Sequence, residues 1–203
     1  SFLNLLESSN PDYTGWPVWM DSSGFDSDDR PFVMNDAWEA LIDATEDLFG
    51  HFDFMRLDPN GEFYLYRSLQ DDNSKSDRSP EPGTALDFGL VVLRTAEAIA
   101  VGLSFARALS ASGGVEFSFR WRGLTGRALS SWAQPRRQLS YPRVIRQPEV
   151  ASTITVPAET PHSAIAPFVA SACAPLFRAF DGFVLSNAVV EDLVAQLVQR
   201  RLS

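Results

Sequence analysis

The amino-acid sequence predicts an α+β fold in which a mostly antiparallel sheet, made of a β-hairpin and a β-meander, packs against helices. Apolar and polar side chains alternate over residues 115–122, which is the pattern of a strand with one buried face. The segment Asp-Pro-Asn-Gly at 58–61 separates two further strand-like stretches, and Asn-Gly favours the tight turn of a hairpin. Apolar residues at three- and four-residue spacing mark several helices. Strands and helices in this irregular order are typical of the α+β class.

Residues 1–35 are predicted to form an irregular acidic N-terminal arm. The segment is rich in Asp, Ser, Gly and Pro, which favour turns, and only a short helix is expected, at residues 2–8. Its aromatic anchors are Phe2, Tyr13, Trp16 and Trp19. The remainder, residues 36–203, has the length of one domain and is predicted to form a single α+β domain.

The first half of this domain is predicted to be a helix, a hairpin and a loop. Apolar residues at helical spacing predict a helix over residues 36–48. The hairpin strands are expected at residues 52–57 and 62–69, with one face of the second strand in the core. Residues 70–84 are polar and are predicted to form a mobile surface loop.

The second half is predicted to hold one long helix, the meander and two terminal helices. The long helix follows the apolar run at residues 86–93 and ends near residue 110. The meander strands are expected at residues 115–122, 127–132 and 150–156. The terminal helices are expected at about residues 161–180, bent or interrupted at Pro175, and at about residues 188–202.

Composition restricts the setting of the protein. A hydrophobic content of 45% is sufficient for a core. No uninterrupted apolar run reaches the ~18 residues of a membrane span, so no membrane partner is expected. The single cysteine, Cys173, excludes an internal disulfide and indicates a reducing cytoplasm. Because the chain lacks an initiator Met, it is expected to be a fragment whose partners include an N-terminal domain of the same full-length protein.

Charge is unevenly distributed along the chain. The first 90 residues hold 19 acidic and 5 basic side chains, whereas the rest holds 7 acidic and 12 basic side chains. One segment has seven arginines and no acidic residue: Arg120, Arg122, Arg127, Arg136, Arg137, Arg143 and Arg146. Like charges at this density repel unless an anion offsets them, so an anionic partner is expected.

The strand register decides what the arginines do. If Arg122 pairs with Arg127 across the turn at residues 123–126, both lie on the same face as Arg120. Opposed like charges destabilise a sheet, so an anion would lie between them. A register shift of one residue would move Arg127 to the other face.

Three anions are open: the acidic half of the chain, a partner protein or second copy, and a phosphate, nucleotide or single-stranded nucleic acid. In the last case Trp132 or Tyr141 would stack on a base, the alternative for Trp132 being burial in the core.

The sequence contains no recognisable catalytic constellation, so an enzyme is not expected. Neither His51 nor His162 has the spacing of a metal ligand, and His162 is interpreted as solvated. Asp71 and Asp72 are interpreted as a solvated charge run, and Cys173 as a small core residue. No cofactor or metal is predicted, and a hydrolase acting through Asp and His is retained only as an alternative.

Short stretches spread over nearly the whole chain suggest a family. They are Gly15-Trp16-Pro17, Arg30-Pro31, Phe54-Met55-Arg56-Leu57, Gly61-Glu62-Phe63-Tyr64-Leu65, the segment 119–127, Ser131-Trp132 and Arg146-Gln147-Pro148-Glu149-Val150. Together they resemble the C-terminal region of bacterial DNA-binding or regulator proteins with an N-terminal Schlafen-like, AlbA-type domain. The resemblance implies a non-catalytic accessory domain beside a nucleic-acid- or nucleotide-binding domain, and it transfers no functional residue.

The leading hypothesis is therefore a sensing or interaction domain of a larger cytoplasmic bacterial regulatory or defence protein. Its Arg-rich face would contact another protein or mediate self-assembly.

Overall fold

The computed structural model describes residues 1–13, 30–43, 52–134, 136–137 and 139–200. In chain order its elements are α1 (Phe2–Ser9), β1 (Phe32–Met34), β2 (Ala37–Asp43), β3 (Phe52–Leu57), β4 (Phe63–Arg67), α2 (Gln70–Asn73), β5 (Ala85–Asp87), α3 (Phe88–Ala108), β6 (Gly114–Arg122), β7 (Ala128–Ser130), β8 (Glu149–Pro157), a 3₁₀ turn (His162–Ala164), α4 (Ala166–Arg178) and α5 (Asn187–Val198). A four-stranded antiparallel sheet packs with helices, so the predicted α+β class is confirmed.

Helix α3 is the centre of the fold. The carboxylate of Asp87 caps its first turn by accepting from the N–H groups of Gly89 and Leu90 at 2.7 and 3.0 Å. One hydrophobic cluster joins α3 to β6, β8, α4 and α5, and a second joins it to α1 and the four-stranded sheet. α3 is long and apolar enough to cross a membrane by length and composition, but 72% of its most apolar window is buried, as in a core helix.

The four-stranded sheet has the order β1-β2-β3-β4. The predicted hairpin is confirmed as β3 and β4, with Met55 opposite Leu65 on the buried face and Tyr64 and Tyr66 exposed. The sheet therefore covers α3 with one face and exposes the other.

The helix predicted over residues 36–48 is wrong in its described part, because residues 37–43 form β2. Asn35 and Asp36 both adopt positive φ, 49° and 62°, which makes a tight hairpin turn from β1 into β2. The partly buried Trp38 and Ile42 match a two-residue period as well as a helical one, and pairing with β3 selects the strand. The predicted irregular arm is corrected at its end too, since residues 32–34 form β1.

The predicted meander is wrong in its connectivity. β6 pairs antiparallel with β8, and β7 instead pairs in parallel with β5. The reason lies in the turn after β6: Leu124 is fully buried, and its N–H donates to the carbonyl of Pro148 (3.1 Å), so the chain turns away from β6.

Both predicted terminal helices are present, but the first is not interrupted at Pro175 and the second ends at Val198 rather than near residue 202. The segment predicted at about 161–180 begins as the 3₁₀ turn and continues as α4, which contains Pro175. α5 begins at Asn187, with Ser186 as its cap. α4 packs against β8, and both helices pack against α3. Trp16, Trp19 and His51 lie outside the described residues.

Candidate functional site: a groove between two strand edges

An open groove of about 1700 Å³ lies between β4 and β6, with α3 as its floor. β4 is the last strand of the four-stranded sheet and β6 is one strand of the two-stranded sheet. The two sheets therefore flank a gap at the centre of the layer that covers α3.

The floor of the groove is a stripe of small side chains. Ala98, Gly102 and Ala106 follow one another at four-residue spacing on α3 and are partly exposed, whereas most of the residues between them are buried. A Cβ atom on Gly102 would lie 2.6 Å from the Phe117 ring, so only glycine allows β6 to approach α3 this closely. Because these side chains are small, the surface of α3 lies deep in the groove.

Both strands run in the direction opposite to α3. Phe63, at the start of β4, lies against Phe105 near the C-terminal end of α3, with ring centroids 5.8 Å apart. Gln70, just after β4, accepts from Arg94 near the N-terminal end of α3 (3.2 Å). β6 starts just after α3 ends and passes over Gly102, so it also runs back along the helix. β4 and β6 are consequently parallel to each other.

β4 presents a backbone edge to the groove. Within the described chain its only neighbouring strand is β3. The N–H of Ser68 donates to the carbonyl of Phe52 (3.0 Å), which fixes which residues of β4 bond to β3. Because bonded and non-bonded pairs alternate along an antiparallel ladder, the backbone groups of Leu65 point away from β3 into the groove.

β6 presents the opposite edge. Its only neighbouring strand in the described ranges is β8. The N–H of Ala158 donates to the carbonyl of Gly113 (2.9 Å), so the same alternation directs the backbone groups of Glu116, Ser118 and Arg120 into the groove. Phe119, on the inward face of β6, lies between Phe117 and Trp121 in a stacked row.

Arg120 and Arg122 share one carboxylate. Arg122 lies directly opposite Glu149 and donates to it at 2.9 Å, and the Arg120 guanidinium lies 3.6 Å from the other oxygen of Glu149. Both arginine side chains are 57% exposed. The expected anion for Arg122 is thus a neighbour within the same half of the chain, and the two arginines at this end of β6 share one carboxylate.

Arg127 does not share the face of Arg122, because β6 pairs with β8 and not with β7, so the condition under which the two arginines would oppose each other is not met. Arg127 is only 4% exposed and forms a two-bond ion pair with Asp72, both bonds being 2.7 Å. It also donates to the carbonyls of Gly123 (2.7 Å) and Ala85 (2.8 Å). This residue ties the segment after β4 to β5 and the turn after β6, which is a structural role.

The remaining arginines point in different directions. Arg137 pairs with Asp192 on α5. Arg143 donates to the carbonyl of Asp181 (3.1 Å) and lies 5.4 Å from the centre of the Phe183 ring. Arg136 and Arg146 are exposed, with no ion pair to another described residue. The seven arginines do not form one face.

Neither predicted stacking residue lies beside a phosphate-binding cluster. Trp132 is half-buried and donates its indole N–H to Asp71 (2.9 Å). Tyr141 is 69% exposed.

Asp71 and Asp72 are not a solvated charge run, and the polar segment 70–84 is anchored to the core. Asp71 is 2% exposed and accepts from the backbone N–H of Asp87 (2.6 Å) as well as from Trp132. Burial raises the pKa of Asp71 and raises that of Asp87 to about 6. These carboxylates hold the start of α3 against the segment around Ala133, whose N–H donates to Asp87 (2.9 Å).

His162 is half-buried rather than solvated, which corrects the sequence prediction. Its Nδ1 lies 2.5 Å from the Tyr13 hydroxyl, and its Nε2 faces both Ser104 Oγ (3.2 Å) and an Arg107 nitrogen (2.7 Å). Burial, followed by the charge of Arg107, lowers the pKa of His162. Since a neutral imidazole has one lone pair and Arg107 is the nearer donor to Nε2, that lone pair is engaged and is a poor base for Ser104.

Among the described residues no group of three or more His, Cys, Asp or Glu side chains is placed to bind a metal ion. Comparison of the chain with protein-family models, with curated proteins and with solved structures gives no match. The groove between β4 and β6 is therefore the candidate functional site.

Proposed function

We propose that this chain is a protein-interaction domain that binds an extended polypeptide segment as an additional strand between β4 and β6. The observation behind the proposal is the pair of strand edges that face each other across α3. Sheet edges are recognition surfaces because their backbone groups need partners, and adding a peptide strand supplies them.

Two edges make this arrangement favourable for a strand. A segment in the groove would form backbone hydrogen bonds on both of its sides, to Leu65 and to Ser118 among others. Each such bond contributes about 0.5–1.5 kcal/mol net, so a short segment gains several. Its inward side chains would also cover the partly exposed stripe of α3.

The inserted strand would join the two sheets into one. With a segment named X, the order would become β1-β2-β3-β4-X-β6-β8, and seven strands would then cover the helices. Backbone groups at the centre of the layer would become paired as they are elsewhere in the fold.

A protein-interaction role is compatible with the setting that the sequence predicts. We propose an accessory interaction domain of a larger cytoplasmic bacterial regulatory or defence protein, whose N-terminal domain and a second copy of the chain are candidate sources of the segment. The nucleotide alternative has less support, because five of the seven arginines have intramolecular partners.

The experiment uses a phage-displayed library of random peptides of about ten residues, selected on the purified chain. Selected peptides are then measured against Ser118→Pro, which removes one groove-facing N–H on an edge strand, where proline is tolerated. Ser118→Ala is the matched control, because it removes only the hydroxyl that contacts Thr153 (2.9 Å). Thermal melting verifies that both variants fold.

We expect peptides that protect the Leu65 and Ser118 amides from hydrogen exchange. Binding should weaken up to about tenfold in Ser118→Pro and remain near wild type in Ser118→Ala, as the loss of one hydrogen bond implies. Enrichment of no peptide, or peptides that protect only other surfaces, would contradict the proposal.

A further inference from the structure

We infer that the groove selects its segment by charge order: an acidic residue, a large apolar residue, any residue, a second large apolar residue, then a basic residue. This inference rests on the proposed function and specifies the chemistry of the partner. It follows from the direction, the floor and the charges of the groove.

The direction of the segment is antiparallel to both walls. β4 and β6 run the same way, so one antiparallel orientation satisfies both edges at once. Antiparallel pairing is also the slightly more stable of the two ladder types. The segment therefore enters beside Arg122 and leaves beside Glu116.

Large apolar side chains are expected at alternate positions of the bound segment, where they would face α3. Side chains two residues apart on a strand lie about 6.8 Å apart on one face. Residues four apart on α3 rise about 6 Å, which is close to this spacing. The Phe117 ring already packs on Gly102, so an inward apolar side chain of the segment would pack on Ala98 and against this ring. Leu65 and Phe117 line the groove on either side of this floor. Small inward residues would leave this space unfilled.

The exposed charges on β6 determine the order of charges expected in the bound segment. Arg120 and Glu116 lie on the outward face of β6, four residues apart, and both are exposed. Directly opposite residues of unlike charge stabilise a strand pair, and like charges destabilise it. Arg120 shares Glu149 with Arg122, so a further carboxylate opposite Arg120 has an uncompensated charge to meet.

The outward side chains of β4 carry no charge that would conflict with this order. Its outward residues facing the same segment are Tyr64 and Tyr66, which are neutral and about half exposed. An acidic residue opposite Arg120 and a basic residue opposite Glu116 are four positions apart in the segment. The residue between the two apolar positions faces Ser118 and is unrestricted in charge.

The test compares two fluorescein-labelled peptides of identical composition. One contains Asp-Leu-Thr-Leu-Lys and the other the reversed order Lys-Leu-Thr-Leu-Asp, each between the same Thr-Ser flanks. Fluorescence anisotropy at low salt measures both dissociation constants for the wild-type chain. We expect the first peptide to bind more tightly, by about threefold to tenfold, since two exposed cross-strand pairs change sign between the peptides.

The double variant Glu116→Arg/Arg120→Glu is the decisive control. It exchanges the two wall charges at exposed positions, and its melting temperature verifies the fold. The preference should invert, so that the reversed peptide binds more tightly. A merely structural role of these side chains would lower both affinities without inverting their ratio.

The possible results separate this inference from the proposed function. Equal affinities for the two peptides, or a preference that the double variant leaves unchanged, would overturn the charge order. If neither peptide binds while library-selected peptides still protect Leu65 and Ser118, the charge order fails and groove binding stands. If no peptide protects those amides, both fail.

Discussion

Replacing Arg127 by methionine should destabilise the fold far more than the same change at an exposed arginine of the same segment. The substitution removes both bonds to Asp72, whose carboxylate would keep only the N–H of Gly83 (2.8 Å). The carbonyls of Gly123 and Ala85 would lose their donor as well. Because Arg127 is buried but the Asp72 side chain is 27% exposed, losing this ion pair and both carbonyl bonds should cost about 3 kcal/mol, a large share of the roughly 5–15 kcal/mol that stabilises a domain.

Urea unfolding followed by tryptophan fluorescence measures this loss. Arg122→Met is the matched control, because its ion pair with Glu149 is exposed and contributes about 1 kcal/mol or less. Asp72→Asn and the double variant with Arg127→Met complete a cycle, in which the coupling energy should be about 1–3 kcal/mol. Equal losses at Arg127 and Arg122, or a loss below about 1 kcal/mol at Arg127, would refute this account of the segment.

Two further predictions concern buried ionisable groups. Burial raises the pKa of Asp87 to about 6 from 3.8, so between these values the folded state holds a proton that the unfolded state has released. The unfolding free energy should therefore fall as the pH rises from about 4 to 6, relative to that of Asp87→Asn. Urea unfolding across this range would contradict the prediction if the difference between the two proteins stayed constant. Burial also raises the pKa of the Cys173 thiol to about 12, so a thiol reagent should label it no faster than the chain unfolds. Rapid labelling in native buffer would show that the thiol is accessible.

Local patterns predicted the long elements well. The period of β6 and the apolar run that forms the first turns of α3 are set by neighbouring residues, so they were visible in the sequence. β2 was mistaken for a helix because Trp38 and Ile42 fit both periods, whereas Leu41, which fits only the helical one, lies on the exposed face of the strand. The Asn35-Asp36 pair could have decided for the strand, since Asn and Asp tolerate the positive φ of a hairpin turn.

Long-range pairing explains the errors about the arginines. Composition showed seven positive charges and therefore predicted an anionic partner. Carboxylates of the same chain pair with several of these arginines. Which carboxylate serves which arginine depends on strand order, and β6 pairs with β8 rather than with β7. The partner of Arg127 lies 55 residues away, in a segment whose composition suggested a solvated loop.

The groove itself follows from a conflict between two properties of α3. The sequence makes this helix apolar on nearly every face, as expected for a helix covered all round. The structure covers it with helices, the four-stranded sheet and β6, yet leaves a stripe of its smallest residues, Ala98, Gly102 and Ala106, partly exposed between two strand edges. An apolar stripe and two backbone edges each favour a partner, and one extended segment satisfies both. The edges of β4 and β6 face each other across the groove only in the folded chain. No local sequence pattern could therefore have indicated this site.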